Sequence, residues 1–175
     1  NTFDNKYVMD DGAMIRDNAT TRMGYKGMKQ FFKESSVYGA TKENYGTYRP
    51  LTMATFAFDW GFYKMKIEQG KELLPPKGQR IMHIVFYALC CVVLFFALKK
   101  LLKNFHPLIP LVSALIFAAH PLHSEVGAFL KSRDELLSMF FIFSSLLFLL
   151  KYIEEEKRVQ FWISNIFFLF AFCQF

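Results

Sequence analysis

Residues 81–98, IMHIVFYALCCVVLFFAL, hold no Asp, Glu, Lys or Arg and are closed by Lys99 and Lys100. Crossing about 30 Å of hydrocarbon takes roughly 20 apolar residues in a helix, and cationic side chains favour the flanks of such a segment. The run therefore has the length and closure of a membrane span. Three further apolar runs follow. ELLSMFFIFSSLLFLLKYI (135–153) has the same character, and FWISNIFFLFAFCQF (161–175) opens a span that the end of the sequence cuts. LIPLVSALIFAA (108–119) falls in the length range of a re-entrant or core helix, but extension to 105–120 makes it a crossing. The expected fold is an all-α integral membrane protein, a polytopic helical bundle with a long outer loop. Residues 1–80 form that loop, with short interfacial helices. Residues 81–175 form the transmembrane region, with spans at 81–98, 105–120, 135–153 and 161–175, the last truncated.

Composition supports this division. The chain is 53% hydrophobic and holds 22 phenylalanines, most of the apolar residues falling after residue 80. Its formal charge of +6 is scattered along the sequence without a recognised binding module, which argues against nucleic acid as a partner. Cys90 and Cys91 are adjacent in one apolar run and Cys173 lies in another, a placement that fits packed thiols and neither a disulfide framework nor a metal site. The sequence begins at Asn1 without an initiator Met or signal peptide and ends inside an apolar run, so it is expected to be a fragment of a longer protein.

Short loops set orientation. Lys99, Lys100 and Lys103 stand unopposed in 99–107, and Lys151, Lys157 and Arg158 mark 151–160, whereas Lys131 and Arg133 are offset by Glu125 and Asp134. This bias puts 99–107 and 151–160 in the cytoplasm and leaves 1–80 and 121–134 outside. The first 80 residues carry 13 of the 21 basic residues, but loops of that length cross largely regardless of charge. Within the outer loop, GMKQFFKESS is expected to form a short interfacial helix with Met28, Phe31 and Phe32 touching lipid. YRPLTMATFAFDWGFYK is richer in apolar residues than a solvated linker needs, and Arg49 before Pro50 is biased toward an extended backbone.

Two polar clusters stand out, and this topology places both on one membrane face. Asp10 and Asp11 in YVMDDGAMI read either as a turn or cap pair or as a carboxylate general base at the membrane surface. His120, His123 and Glu125 in AHPLHSEV follow an apolar run directly, with Pro121 breaking any regular helix through them. They read either as an interfacial anchor or, with Arg133, as a site for a phosphate. His-x-x-His followed two residues later by Glu is not a standard zinc spacing, so no metal site is assigned.

Four segments, NTFDNKYVMDDGAMIRDN, YRPLTMATFAFDW, PKGQRIMHIVFYAL and HPLHSEVGAFLKSRDELLSMFF, occur in an order and spacing that resembles the amino-terminal half of the multi-spanning, tetratricopeptide-repeat-containing protein O-mannosyltransferases, including their bacterial relatives. The resemblance implies a C-type membrane glycosyltransferase fold and a membrane enzyme. Such an enzyme moves a sugar, in this family mannose, from a polyprenyl-phosphate donor to Ser or Thr of exported proteins. It also implies that Asp10 or Asp11 supplies the catalytic base, with His120, His123, Glu125, Arg133 and Arg49 available to bind donor phosphate or acceptor. Relatives commonly carry an asparagine shortly after the histidine that opens the first span; here Ile84, Val85, Phe86 and Tyr87 follow His83. No cofactor is required by this reading, and a divalent cation stays an option. The expected partners are the lipid-linked donor, the exported acceptor protein and the bilayer. A bacterial inner membrane suits the composition, with the endoplasmic reticulum as the other setting. The alternative is a catalytically silent membrane scaffold whose tetratricopeptide repeats, lying outside this sequence, bind partner proteins.

Overall fold

The computed structural model describes residues 7, 11–43, 46–63, 77–123, 126 and 129–174. Among them there is no β-strand. The first part of the chain is short turns and helices: a π-helical turn Gly12–Arg16, α1 (Ala19–Arg22), 3-10 turns Gly24–Gly27 and Gln30–Phe32, α2 (Tyr38–Thr41) and α3 (Pro50–Phe62). Four longer apolar helices follow: α4 (Lys77–Leu101), α5 (Leu108–Ala119), α6 (Arg133–Glu155), which a 3-10 turn Leu130–Ser132 precedes, and α7 (Arg158–Phe172).

α4 and α6, with 25 and 23 residues, rise about 38 and 35 Å at 1.5 Å per residue, enough to cross the hydrocarbon. Only 17% of the most apolar stretch of α4, and 22% of that of α6, is buried against the protein itself. A core helix of a water-soluble protein hides such a surface, so these outward apolar faces suit lipid. α5 differs from expectation. Its 12 residues rise about 18 Å, short of a crossing. The reason is local: His120 takes an extended backbone (ψ 130°) ahead of Pro121, and Phe105 closes a turn onto the Leu102 carbonyl (3.0 Å) instead of extending the helix backward.

α6 packs between α4 and α7. Cys90 donates to the Leu136 carbonyl (3.1 Å), and the Ser164 hydroxyl donates to the Ser145 carbonyl (2.8 Å) while also meeting the Ser145 hydroxyl (3.1 Å). Small hydroxyl residues let apolar helices approach closely and supply the polar contacts that lipid cannot. Phe141 and Phe148 pack against Phe167 across the same seam. One end of the bundle carries Lys99, Lys100 and Lys151. The other end, here the capped end, is covered by the described residues between Tyr7 and Phe62, which reach the starts of α4 and α6 through Tyr7–Gln79, Asp11–Lys131, Arg49–Asp134 and Asp59–Arg133 contacts.

That cover has its own core. Met14, Ile15, Phe31, Met53, Phe56, Ala57 and Leu130 are buried together. Pro50 starts α3 at a position where a missing N–H does no harm, and Met53, Phe56, Ala57 and Trp60 recur at helical spacing on its inner face. The Trp60 indole donates to the Ile15 carbonyl (3.0 Å). The Asn18 side chain accepts from the Thr21 N–H (3.0 Å) and donates to the Ser36 carbonyl (2.9 Å), capping α1 and clasping the chain on itself. GMKQFFKESS forms 3-10 turns instead of an interfacial helix, and Phe31 enters the core at 3% exposure while Phe32 stays exposed. α3 is tied to the far end of the chain by Gln174, which accepts from the Thr52 hydroxyl (2.5 Å).

Candidate functional site

The capped end gathers charged groups from three parts of the chain. Asp11, just before the π-helical turn, is buried at 1% exposure, and its Oδ1 accepts the Lys131 backbone N–H at 2.7 Å. The segment around Asp11 and the 121–134 loop, 120 residues apart, are thereby joined. Arg49, just ahead of α3, pairs with Asp134 at the start of α6. Asp134 also accepts the Glu135 N–H (2.8 Å), and both carboxylates lie in the first turn of α6, where the helix dipole favours negative charge.

Arg49 and Lys131 line a cavity of about 380 Å³ with the hydroxyl residues Ser36, Thr41 and Thr47. The Arg49 Nε is buried without a hydrogen-bond partner among the described residues. Two cations, hydroxyl groups and an unused guanidinium donor are the features that receive an oxyanion or phosphate.

A second cavity of about 430 Å³ opens between α3, α4 and α6, with walls of Leu51, Phe58, Met82, Phe86 and Phe141. At its base Arg133 and Asp59 form an ion pair of 2.7 Å, their side chains 0% and 1% exposed. The Arg133 guanidinium also donates to the Thr55 hydroxyl and the Gln79 carbonyl (3.3 Å each) and lies 4.6 Å from the Phe56 ring centroid. Burial pushes the Asp59 carboxyl above the usual carboxylate range, with the Arg133 charge opposing. The Tyr7 hydroxyl donates to Gln79 Oε1 (2.9 Å). Its phenol is also pushed up, first by burial and then by the Asp59 and Asp11 charges.

The sequence candidates fall into separate places. Asp11, Arg49 and Arg133 belong to the capped end, but Arg133 is enclosed and neutralised by Asp59 instead of standing open. His120 ends α5 and is exposed, its Nδ1 accepting from the Leu122 N–H (3.3 Å). His123 is half-buried: its Nδ1 lies 2.6 Å from the Phe117 carbonyl, and its ring packs 4.4 Å from that of Phe117. Tyr87 of α4 donates to the Ala118 carbonyl (2.9 Å) and lies 3.2 Å from His123 Nδ1. The histidine pair, with ring centroids 5.8 Å apart, is thus held by α4 and α5 and is not joined to Arg133. Asp10 and Glu125 lie outside the described residues.

Sequence reasoning missed Asp59 and Lys131. The signal for Asp59 was a lone carboxylate between Phe58 and Trp60 in an otherwise apolar helix, which needs a partner if buried. Lys131 carries no local signal, because its place is set by a backbone contact to a distant residue.

An all-helical chain with two helices long and apolar enough to cross a membrane, carrying a packed cap that joins a carboxylate to a cation-lined cavity, is the class these features define. The comparisons give particular relatives. The chain is 27% identical over 144 residues to Protein O-mannosyl-transferase TMTC3 of Homo sapiens, covering 81% of this chain and 14% of that protein. The Mus musculus protein of the same name gives the same figures. Protein O-mannosyl-transferase TMTC4 of Homo sapiens is 27% identical over 166 residues, 90% of this chain and 22% of its own length. The chain therefore spans less than a quarter of these curated relatives. No family model matches, and no solved structure matches.

Proposed function

We propose that this chain forms part of a multi-pass membrane glycosyltransferase that moves a sugar, mannose by the names of its relatives, from a polyprenyl-phosphate donor to Ser or Thr hydroxyls of exported proteins. The observation that carries the reading is the meeting of Asp11 with Lys131 beside a cavity that Arg49 also lines, at one end of membrane-length helices. A lipid-linked phosphate is held at headgroup level by its tail, which is where this cavity lies if α4 and α6 span the bilayer.

The chemistry assigns each group a task. A carboxylate takes the proton from the acceptor hydroxyl as its oxygen bonds to the anomeric carbon. The bond from that carbon to the phosphate oxygen breaks with inversion, and Arg49 and Lys131 stabilise the negative charge left on the phosphate. The apolar cavity beside α3 offers walls for the first units of the lipid tail. His120 and His123, held between α4 and α5, are left for the acceptor side. Asp10 is the base and Asp11 its support, because the Asp11 side chain is buried with Oδ1 committed to the Lys131 N–H.

Transfer by the full-length protein in proteoliposomes, from polyprenyl-phosphate mannose to a Ser/Thr peptide, tests this. Asp10→Asn is expected to lower turnover by about 10²–10⁴-fold, roughly 3–5 kcal/mol, with donor binding little changed. Asp11→Asn keeps a side-chain acceptor for Lys131 and is expected to lose less. Full turnover in Asp10→Asn would remove the general-base assignment, and absence of transfer by the wild type under donor saturation would favour the scaffold.

A further inference from the structure

The end of the bundle opposite the cap holds a third cavity, of about 490 Å³, which the transfer reaction does not use. Lys99, Lys100 and Lys103 of α4 and the turn after it face Lys151 and Glu154 of α6 around it. Lys100 pairs with Glu154, and Lys103 reaches the other carboxylate oxygen at 3.2 Å. Four lysines and one glutamate thus line the cavity, and two of the four ammonium groups contact that carboxylate. Lys151 lies 5.0 Å from the Phe148 ring centroid, its stem laid along the helix. Phe96 and Leu147 form the wall toward the middle of the helices, and Val92 one turn further along α4 is 49% exposed.

We propose that this cavity binds the phosphate headgroup of an anionic phospholipid, with its acyl chains running along Phe96 and Val92. The proposal rests on the membrane reading of α4 and α6. Charge flanking a span needs no shape, since lysines serve as anchors wherever they reach the headgroups. Here the lysines of two helices converge on a shared space and leave an excess of positive charge after Glu154 is counted. A dianionic or monoanionic phosphate supplies what the carboxylate leaves uncompensated. The apolar wall continuous with the cavity matches a ligand whose charged head carries a hydrocarbon tail, which free phosphate lacks. Basic pockets between spans are suited to such heads, each lysine near the surface contributing about 1 kcal/mol, or roughly fivefold in affinity.

Glu154 gives the proposal a test of opposite signs. As a competitor for Lys100 and Lys103 it weakens headgroup binding, so Glu154→Gln is expected to tighten it, whereas a merely structural Glu154 leaves binding unchanged. The full-length protein in neutral detergent is titrated with phosphatidylglycerol, phosphatidylcholine and inorganic phosphate, and bound species are counted by native mass spectrometry. Phosphatidylglycerol is expected to bind well above phosphatidylcholine. Lys99→Gln/Lys151→Gln, which spares both ion pairs to Glu154, is expected to weaken it roughly 25-fold. Equal binding of the two lipids, or no change in the double variant, overturns the proposal. Displacement of the lipid by millimolar inorganic phosphate assigns the site to the free ion and overturns the lipid assignment. Alkaline extraction of the same protein from membranes is the control: release into the soluble fraction would instead bring down the membrane reading.

Discussion

Replacing Arg133 by methionine leaves the Asp59 carboxylate buried without its cation, and the structure sets the scale. At 2.7 Å and an effective dielectric constant of 20, the attraction within the pair is about 6 kcal/mol, set against a desolvation penalty of several kcal/mol for each ion. Breaking one side of such a pair is therefore expected to destabilise the protein by about 3–5 kcal/mol. Asp59→Leu/Arg133→Met removes both charges and fills the site with apolar volume, so it is expected to return to within about 1–2 kcal/mol of the wild type, the residue of the loss being the Thr55 and Gln79 contacts. Chemical unfolding in detergent, run as a double-mutant cycle, measures this directly. pH gives a second reading. In Arg133→Met the folded-state pKa of Asp59 is raised further, since burial already raises it and the opposing charge is gone. A raised carboxyl pKa means stability that is present below the unfolded value of about 4 and lost as pH rises through the folded one. The deficit of the single variant is thus expected to shrink as pH falls toward about 4. A deficit independent of pH, or a double variant as unstable as the single one, would refute the assignment of Asp59 and Arg133 as a mutually dependent buried pair. Transfer activity separates structure from chemistry: a stable double variant that transfers normally confines Arg133 to the scaffold, and one that folds but cannot use donor places it on the phosphate.

Arg49→Gln removes a cation from the polar cavity and the partner of Asp134. Donor use is expected to weaken by about 1–3 kcal/mol, read as a raised KM for the lipid-linked donor, with Arg49→Lys partly restoring it. Gly27 lies against the Thr20 carbonyl, where an added Cβ has no room. Gly27→Ala is expected to destabilise the cap by about 1–3 kcal/mol, seen in unfolding of the cap's tryptophan signal while the helices persist by circular dichroism.

The apolar helices were legible because one short-range property writes them: an uncharged run of sufficient length closed by lysines. α4 contains all of 81–98, and α6 begins at Arg133, two residues before its expected start. α5 was overextended because hydropathy continues into Phe105 and His120 while the backbone does not, Pro121 having turned it out of helical geometry. The cap was not legible in the same way. Met14, Phe31, Phe56 and Leu130 share a core though no periodicity links them, and a search for amphipathic helices cannot find a core assembled from 3-10 turns and one 13-residue helix. The candidate site divides along the same line. Residue chemistry pointed to Asp11, Arg49 and Arg133, but the enclosure of Arg133 by Asp59 depends on a pairing 74 residues apart, and the place of Lys131 on a bond to Asp11 spanning 120.

That separation has a temporal side. A ribosome adding 5–20 residues per second needs roughly 4–15 s to travel from Asp59 to Arg133, a gap of 74 residues. Throughout that interval the nascent α3 carries an acidic group whose partner Arg133 is not yet synthesised, so its apolar face cannot settle into its final bed without dragging an unpaired carboxylate along. Closure of the cap must wait for α6, and Thr52 waits longer still for Gln174, 122 residues downstream. The cap, made before the helices it covers, is in this way among the last parts of this region to settle, and during that delay its apolar face is open to whatever chaperone attends the membrane face on which it emerges.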